Sequence, residues 1–205
     1  MLLKIALFFV LVAISSGEDA KEKVKVTVFY ESQCGDSIRF FKRQVKQAYD
    51  ALNQHIDFEF VPYGKAVHEK LNDNFKFTCH HGSTECDYNK VQSCAIKYSP
   101  DQNTTVSFLS CVMGTYKQSS VLESCAKQSS LNLEKIKECA SGSEGDELHA
   151  KHGDRTNSFR PSVSYVPTIV LNGVYNSATQ YDAEYNLLAT VCKKFKSKPD
   201  ACTKS

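Results

Sequence analysis

The chain has 205 residues, 23% of them charged, and a formal net charge of +2 at pH 7. Lys and Arg form no block, so the sequence predicts no nucleic-acid partner and no binding to an anionic membrane. The length suits one domain with an insertion, or two small domains.

The first 17 residues have the pattern of a signal peptide. Lys4 precedes an unbroken apolar run over residues 5–14, and small residues follow at positions 15–17. The run is short for a bilayer and no later segment is longer, so we predict cleavage of this leader and no membrane span. The mature chain is then expected in the lumen of the secretory pathway or outside the cell. On that route Asn103, which begins the sequon Asn103-Thr104-Thr105, is a predicted glycosylation site.

Residues 22–64 predict a strand, a helix and a second strand. From residue 24 to residue 30, apolar residues alternate with polar ones, which is typical of a strand with one buried face. Apolar residues then recur at helical spacing over residues 38–52, and residues 56–61 form a second strand-like run. This order of elements is that of a βαβ unit.

The middle and the end of the chain differ in pattern. Residues 65–158 show little alternation, and we interpret them as a cysteine-rich helical insertion, since such short helices bury too little surface without disulfides. Helices are predicted around residues 91–98, 106–116 and 133–139. Beyond the insertion, the sequence predicts a strand over residues 165–171, a hairpin turn at Asn172-Gly173, a helix over residues 183–195 and a tail over residues 199–205.

Together these elements predict an α/β, thioredoxin-like fold with a disulfide-rich helical insertion. Residues 22–64 and 159–198 would form the discontinuous thioredoxin-like domain. In such folds a cis-proline before the third strand faces the active cysteine, and Pro167 has that position. The alternative for Pro167 is an ordinary trans proline at the start of a strand.

The chain contains nine cysteines, an odd number for an oxidising compartment. Eight follow residue 77 and are candidates for four disulfides, although eight cysteines allow 105 pairings and the sequence leaves the pairing open. A zinc site made of some of these cysteines with His80 and His81 is a weaker alternative, because the spacings are too long. The eight candidates are Cys79, Cys86, Cys94, Cys111, Cys125, Cys139, Cys192 and Cys202.

The ninth cysteine, Cys34, lies between the first strand and the first helix. Unpaired N–H groups and the helix dipole stabilise a thiolate there, and we expect the Ser37 hydroxyl to donate to the sulfur. The carboxylate of Asp36 opposes the thiolate, less so at acidic pH. Cys34 is therefore a candidate nucleophile. The alternatives are a buried structural cysteine and a disulfide to a second molecule.

Residues 79–94 read C-H-H-G-S-T-E-C-D-Y-N-K-V-Q-S-C. This segment resembles the signature C-Q-H-G-x-x-E-C-x-x-N-x-x-x-x-C of the gamma-interferon-inducible lysosomal thiol reductase (GILT) family, with His80 in place of Gln. The resemblance implies a glycosylated, thioredoxin-like enzyme of lysosomes or the extracellular space. It also implies reduction of protein disulfides at acidic pH and a role in antigen processing or host defence. For Gly82 we predict a backbone turn, and for Glu85 and Asn89 local hydrogen bonds.

The chain departs from the family at the active site, where C-x-x-C becomes Cys34-Gly35-Asp36-Ser37. Serine cannot resolve a mixed disulfide, so release of the product needs an external small thiol or a second thiol of the protein substrate. No metal or organic cofactor is expected. The predicted catalytic residues are Cys34, Ser37 and Pro167. The alternative function is a secreted binding or substrate-trapping protein. The remaining histidines, His55, His68, His149 and His152, are predicted at the surface.

Overall fold

The computed structural model describes residues 21–72 and 74–203. Its central sheet has three strands, with the first strand in the middle, paired in parallel to the second and antiparallel to the fifth. The third and fourth strands form a separate hairpin. The strands are β1 (Val24–Tyr30), β2 (Ile56–Pro62), β3 (Val67–Leu71), β4 (Asn74–Thr78) and β5 (Thr168–Leu171).

The predicted helix after β1 is present and begins slightly earlier than expected. Helix α1 (Gly35–Phe40) continues through a π-helical turn (Phe41–Val45) into α2 (Lys46–Leu52). Its apolar face is buried in the main core with the valines of β1. A π-turn inside a longer helix is often found at a functional site. Packing of this face on the sheet fixes the start of α1 next to the end of β1.

The segment between β2 and β5 is mainly helical, as predicted, but it begins with the β3–β4 hairpin. Side chains of this hairpin are exposed or half-buried, so its sequence carries no buried face by which a strand could be predicted. The domain boundaries themselves stay predictions. The remaining helices are α3 (Ser83–Tyr98), α4 (Gln102–Val112), α5 (Leu122–Gln128), α6 (Leu133–Ser141), α7 (Ser143–Ser158), α8 (Ser177–Tyr185) and α9 (Leu187–Cys192).

The eight candidate cysteines form four disulfides. One lies at the start of α3, one joins α3 to α6, one joins α4 to α5, and one ties the end of α9 to a C-terminal 3₁₀ turn. Each helix of the insertion except α7 thus shares a covalent link with a neighbour or with the preceding loop. The pairs are Cys79–Cys86, Cys94–Cys139, Cys111–Cys125 and Cys192–Cys202.

The C-terminal part differs from prediction in two ways. Asn172 and Gly173 have the positive φ angles (51° and 76°) of a tight turn, but Val174 makes only a single bridge back to Leu171 instead of a full strand. The predicted last helix is two helices, because Asn186 ends α8 and caps α9 by accepting from the Ala189 amide. The predicted signal peptide lies outside the described residues. Within them, no helix is long and apolar enough to cross a membrane.

Candidate active site

Cys34 is half-exposed and occupies the position just before α1. Its carbonyl accepts the first helical hydrogen bond from the Ile38 amide at 2.9 Å, while its own amide donates to the Glu31 carbonyl at 3.3 Å. Within the described ranges it is the one cysteine outside the disulfides. Its thiol is therefore held by backbone at the helix N-terminus and is accessible to a substrate.

The loop before β5 forms the opposite wall of this site. The Cys34 thiol faces the Val166 carbonyl oxygen at 3.7 Å, and the peptide bond between Val166 and Pro167 is cis. Gln180 of α8 fixes the loop, since its amide donates to the Pro167 carbonyl at 2.9 Å and accepts from the Ile169 amide at 2.7 Å. The predicted site residue Cys34 is thus brought to the Val166–Pro167 peptide, although Val166 is 132 positions away in the sequence.

Ser37 does not make the predicted hydrogen bond to the thiol. Its side chain is fully buried, and its hydroxyl oxygen has no hydrogen-bond partner among the described residues. The third residue of this helix faces the core rather than the sulfur, because the buried side of α1 begins there. The position that holds the second cysteine in the family is consequently shielded from solvent.

Sequence reasoning missed a chain of charged and polar groups beside Cys34. Arg39 pairs with Asp36 at 2.6 Å and with the buried carboxylate of Glu184 at 2.7 Å. The other oxygen of Glu184 accepts from the Tyr165 hydroxyl at 2.6 Å, and burial together with this bond raises the pKa of Tyr165. Arg39 offsets the Asp36 charge that the sequence analysis set against the thiolate. Only its i,i+3 spacing from Asp36 could have signalled this.

A loop tyrosine lies against the first residue of α1. The Tyr116 carbonyl accepts from the Gln33 side-chain amide at 3.3 Å, and the Tyr116 ring is 59% exposed. A Cβ at Gly35 would collide with the Tyr116 hydroxyl. Gly35 thus allows an aromatic side chain to approach the helix next to Cys34.

The segment that carries the family signature braces the loop before Cys34. Asn89 accepts from the Ser32 amide at 3.0 Å, and the Glu85 carbonyl accepts from the Ser32 hydroxyl at 3.1 Å. Gly82 has the positive φ of a turn (85°), as predicted. The prediction of local bonds was wrong for Asn89, whose partner is 57 positions away. The signature residues therefore position Ser32, two residues before Cys34.

The surface prediction for the remaining histidines was wrong for His149. This side chain is fully buried among Tyr63, Phe77 and the sulfur of Cys79. Burial lowers the pKa of His149 to about 3. Residue spacing around His149 does not indicate this burial, since its apolar neighbours come from distant elements. The zinc alternative loses its thiolate ligands, because the cysteines it requires are in disulfides.

The fold is similar to that of DsbA from Chlamydia trachomatis, with a TM-score of 0.59 and 13% sequence identity over 87% of this chain and 91% of that chain. This similarity confirms the predicted thioredoxin-like fold with its disulfide-rich helical region. A free, half-exposed thiol at a helix N-terminus places the chain in the class of thioredoxin-like proteins with a potentially reactive cysteine.

The sequence comparisons identify the family within this class. Residues 25–129 match the family model described as gamma interferon inducible lysosomal thiol reductase (GILT). A GILT-like protein of Caenorhabditis elegans is 34% identical over 187 residues, which cover 90% of this chain and 57% of that protein. A gamma-interferon-inducible lysosomal thiol reductase-like protein of Anopheles gambiae is 31% identical over 89% of this chain and 81% of its own length. The chain belongs to the GILT family, as the resemblance at residues 79–94 implied.

Proposed function

We propose that this protein reduces or isomerises protein disulfides through Cys34 alone. The observation that carries the proposal is the accessible, unpaired thiol of Cys34 at the start of α1, opposite the Val166 carbonyl. Membership of a thiol reductase family supplies the reaction class.

The reaction has two exchange steps. The Cys34 thiolate attacks one sulfur of a substrate disulfide, forms a mixed disulfide and releases the other sulfur as a thiolate, which takes up a proton. A small external thiol, or a second thiol of the same substrate, then attacks the mixed disulfide. The first route returns Cys34 as a free thiol and leaves the substrate sulfur bound to the small thiol. A second small thiol then attacks this disulfide, which releases the substrate as a dithiol and leaves the two small thiols joined as a disulfide. The second route returns Cys34 and forms a new disulfide within the substrate, which is isomerisation.

The setting we propose is acidic and lies in a lysosome or outside the cell, with a role in host defence. Support comes from the predicted signal peptide and from the relative in Anopheles gambiae, whose name describes a lysosomal enzyme. Asn103 is exposed in the first turn of α4, where a glycan would project into solvent. Glycosylation at Asn103 stays a prediction.

The experiment that tests the proposal is reduction of insulin with a small external thiol at about pH 4.5 and pH 7. We expect turnover by wild type, none by Cys34→Ser and faster turnover by Ser37→Cys. This substitution restores the C-x-x-C pattern of the family, whose second cysteine resolves the mixed disulfide internally. Turnover that persists in Cys34→Ser would contradict the proposal.

A second candidate function is substrate trapping or binding without turnover. The serine at position 37 favours it, because a mixed disulfide on Cys34 has no internal thiol to resolve it. Non-reducing electrophoresis after mixing with a disulfide substrate would show a stable adduct. Activity that appears only in Ser37→Cys would establish trapping as the present function. A dimer band without substrate would instead show a disulfide between two copies through Cys34.

A further inference from the structure

Four ionisable side chains meet just before the active-site loop. One carboxylate oxygen of Glu31, Oε2, is 3.4 Å from Nδ1 of His80 and 3.4 Å from Nδ1 of His81. One carboxylate oxygen of Glu85, also Oε2, is 2.6 Å from the same His81 nitrogen. One carboxylate oxygen of Glu31 and one ring nitrogen each of His80 and His81 all lie within 4.8 Å of one another.

The two carboxylates leave a buried negative charge without a permanent cation. Glu31 and Glu85 are both fully buried, and in the described part of the chain their ion-pair partners are histidines, not Lys or Arg. Burial of a carboxylate is costly unless a positive charge compensates it. Neutral histidines do not supply that charge, whereas a bound cation would.

Backbone amides hold both carboxylates of the cluster in a fixed orientation. The second oxygen of Glu31 accepts from the Lys65 amide at 2.7 Å, and that of Glu85 accepts from the His81 amide at 3.2 Å. Each carboxylate is thus held by backbone through one oxygen and points the other at the imidazoles. Such outer hydrogen bonds fix ligand orientation at metal sites.

We propose that Glu31, His80 and His81 bind a divalent transition metal ion, with Zn²⁺ as the best match. Imidazole nitrogen and carboxylate oxygen are zinc ligands at about 2.0–2.1 Å, which places two ligands of a tetrahedron about 3.3–3.4 Å apart. The two contacts of Glu31 have that length. The half-exposed imidazoles leave the fourth position to solvent. The hydrogen that His81 Nδ1 shares with Glu85 Oε2 leaves as a proton when the ion binds this nitrogen, and the Glu85 carboxylate remains beside the site as a further negative charge. The site uses no cysteine and does not depend on the proposed function.

His80 makes the site specific to this chain, since the family signature has glutamine at that position. The substitution His80→Gln therefore restores the family residue and removes one ligand on a half-exposed side chain without disturbing the core. His55, which is outside the cluster, provides the matched control His55→Gln.

The test is a titration with Zn²⁺ against a chromophoric chelator at pH 7, with the mature chain carrying Cys34→Ser so that the free thiol cannot bind the metal. We expect one Zn²⁺ per chain, affinity reduced about tenfold or more by His80→Gln, and no change with His55→Gln. Co²⁺ should give the absorption of a tetrahedral site without a thiolate charge-transfer band. Absence of binding, or binding that His80→Gln leaves unchanged in a folded chain, would overturn the site.

Discussion

Arg39 compensates the charge of Asp36, two residues after Cys34. It neutralises Asp36 and links α1 to Glu184 of α8, so one side chain both screens a carboxylate near Cys34 and joins two elements that flank the site. Its guanidinium also lies over the Tyr185 ring at 5.4 Å. Such a half-buried arginine contributes more than an isolated surface ion pair, because it forms several contacts at once.

Replacement of Arg39 by methionine is expected to slow the reaction of Cys34. The unscreened Asp36 carboxylate would then disfavour the thiolate, and we expect the rate of alkylation by iodoacetamide at pH 6 to fall about three- to tenfold. The control is Arg43→Met, which removes the same charge from an exposed position of the same helix. If both substitutions slowed the alkylation of Cys34 equally, the net charge of the protein, and not the ion pair between Arg39 and Asp36, would control this rate.

The sequence predicts the positions of Cys34 and Pro167, but not the polar side chains that surround them. Cys34 and Pro167 could be assigned because a strand-to-helix junction and a proline before a strand are local patterns. The inward direction of Ser37, the bond from Ser32 to Asn89 and the contact of Arg39 with Glu184 join segments far apart in sequence. Residue spacing along one element carries no information about such contacts.

Among the elements, β1, β2 and the helix after β1 were predicted well, because their apolar residues recur at the period of a strand or of a helix. The predicted single buried face of β1 was wrong, since residues on both faces of this central strand are buried. The β3–β4 hairpin and α7 were missed for the opposite reason. Most residues of α7 are polar, and Gly153 lies where a Cβ would collide with the Tyr63 ring. At Gly153 this helix approaches the Tyr63 ring closely, and it has no continuous apolar stripe, so its hydrophobic periodicity is weak.

The disulfide between α3 and α6 is expected to stabilise the protein more than the C-terminal disulfide does, because it closes a longer loop. It spans 45 positions, whereas Cys192–Cys202 spans 10. Loop-closure entropy predicts losses of about 4 kcal/mol and about 2.7 kcal/mol when each pair is replaced by alanines. Urea unfolding followed by far-UV circular dichroism measures both free energies of unfolding. A larger loss for the C-terminal pair would contradict this order.

For the whole molecule, acid is expected to lower stability. The pKa of His149 is about 3 in the folded chain and 6.5 without burial, so the unfolded chain binds this proton first. At Glu59, hydrogen bonds from Arg155, Thr27 and Lys25 outweigh the effect of burial and lower the pKa to about 2. The His149 contribution is complete above pH 6.5 and is lost as the pH falls towards 3. The Glu59 contribution is complete above pH 4.5 and is lost towards pH 2.

Replacement of His149 by phenylalanine should flatten this dependence. At pH 4.5 the buried imidazole costs the wild type about 2–3 kcal/mol relative to pH 7.5, and a phenylalanine ring in the same aromatic cluster has no proton to bind. The measurement is the free energy of unfolding in urea at both pH values for both chains. The difference in free energy of unfolding between the two chains at pH 7.5 measures the effect of the phenylalanine on packing alone. Parallel losses in the two chains would show that His149 does not control the acid response.

The sheet order also determines when the active site can exist. The thiol of Cys34 belongs to the first βαβ unit, but its opposite wall at Val166 is attached to β5, which follows the whole insertion. In a growing chain, Cys34 is therefore synthesised long before the Val166 carbonyl that faces its thiol. Pairing of β1 with β5 closes a long loop, a step that is intrinsically slow. The site is thus complete only after β5 has been synthesised and paired with β1, and a chain that stops within the insertion would carry Cys34 without its opposite wall.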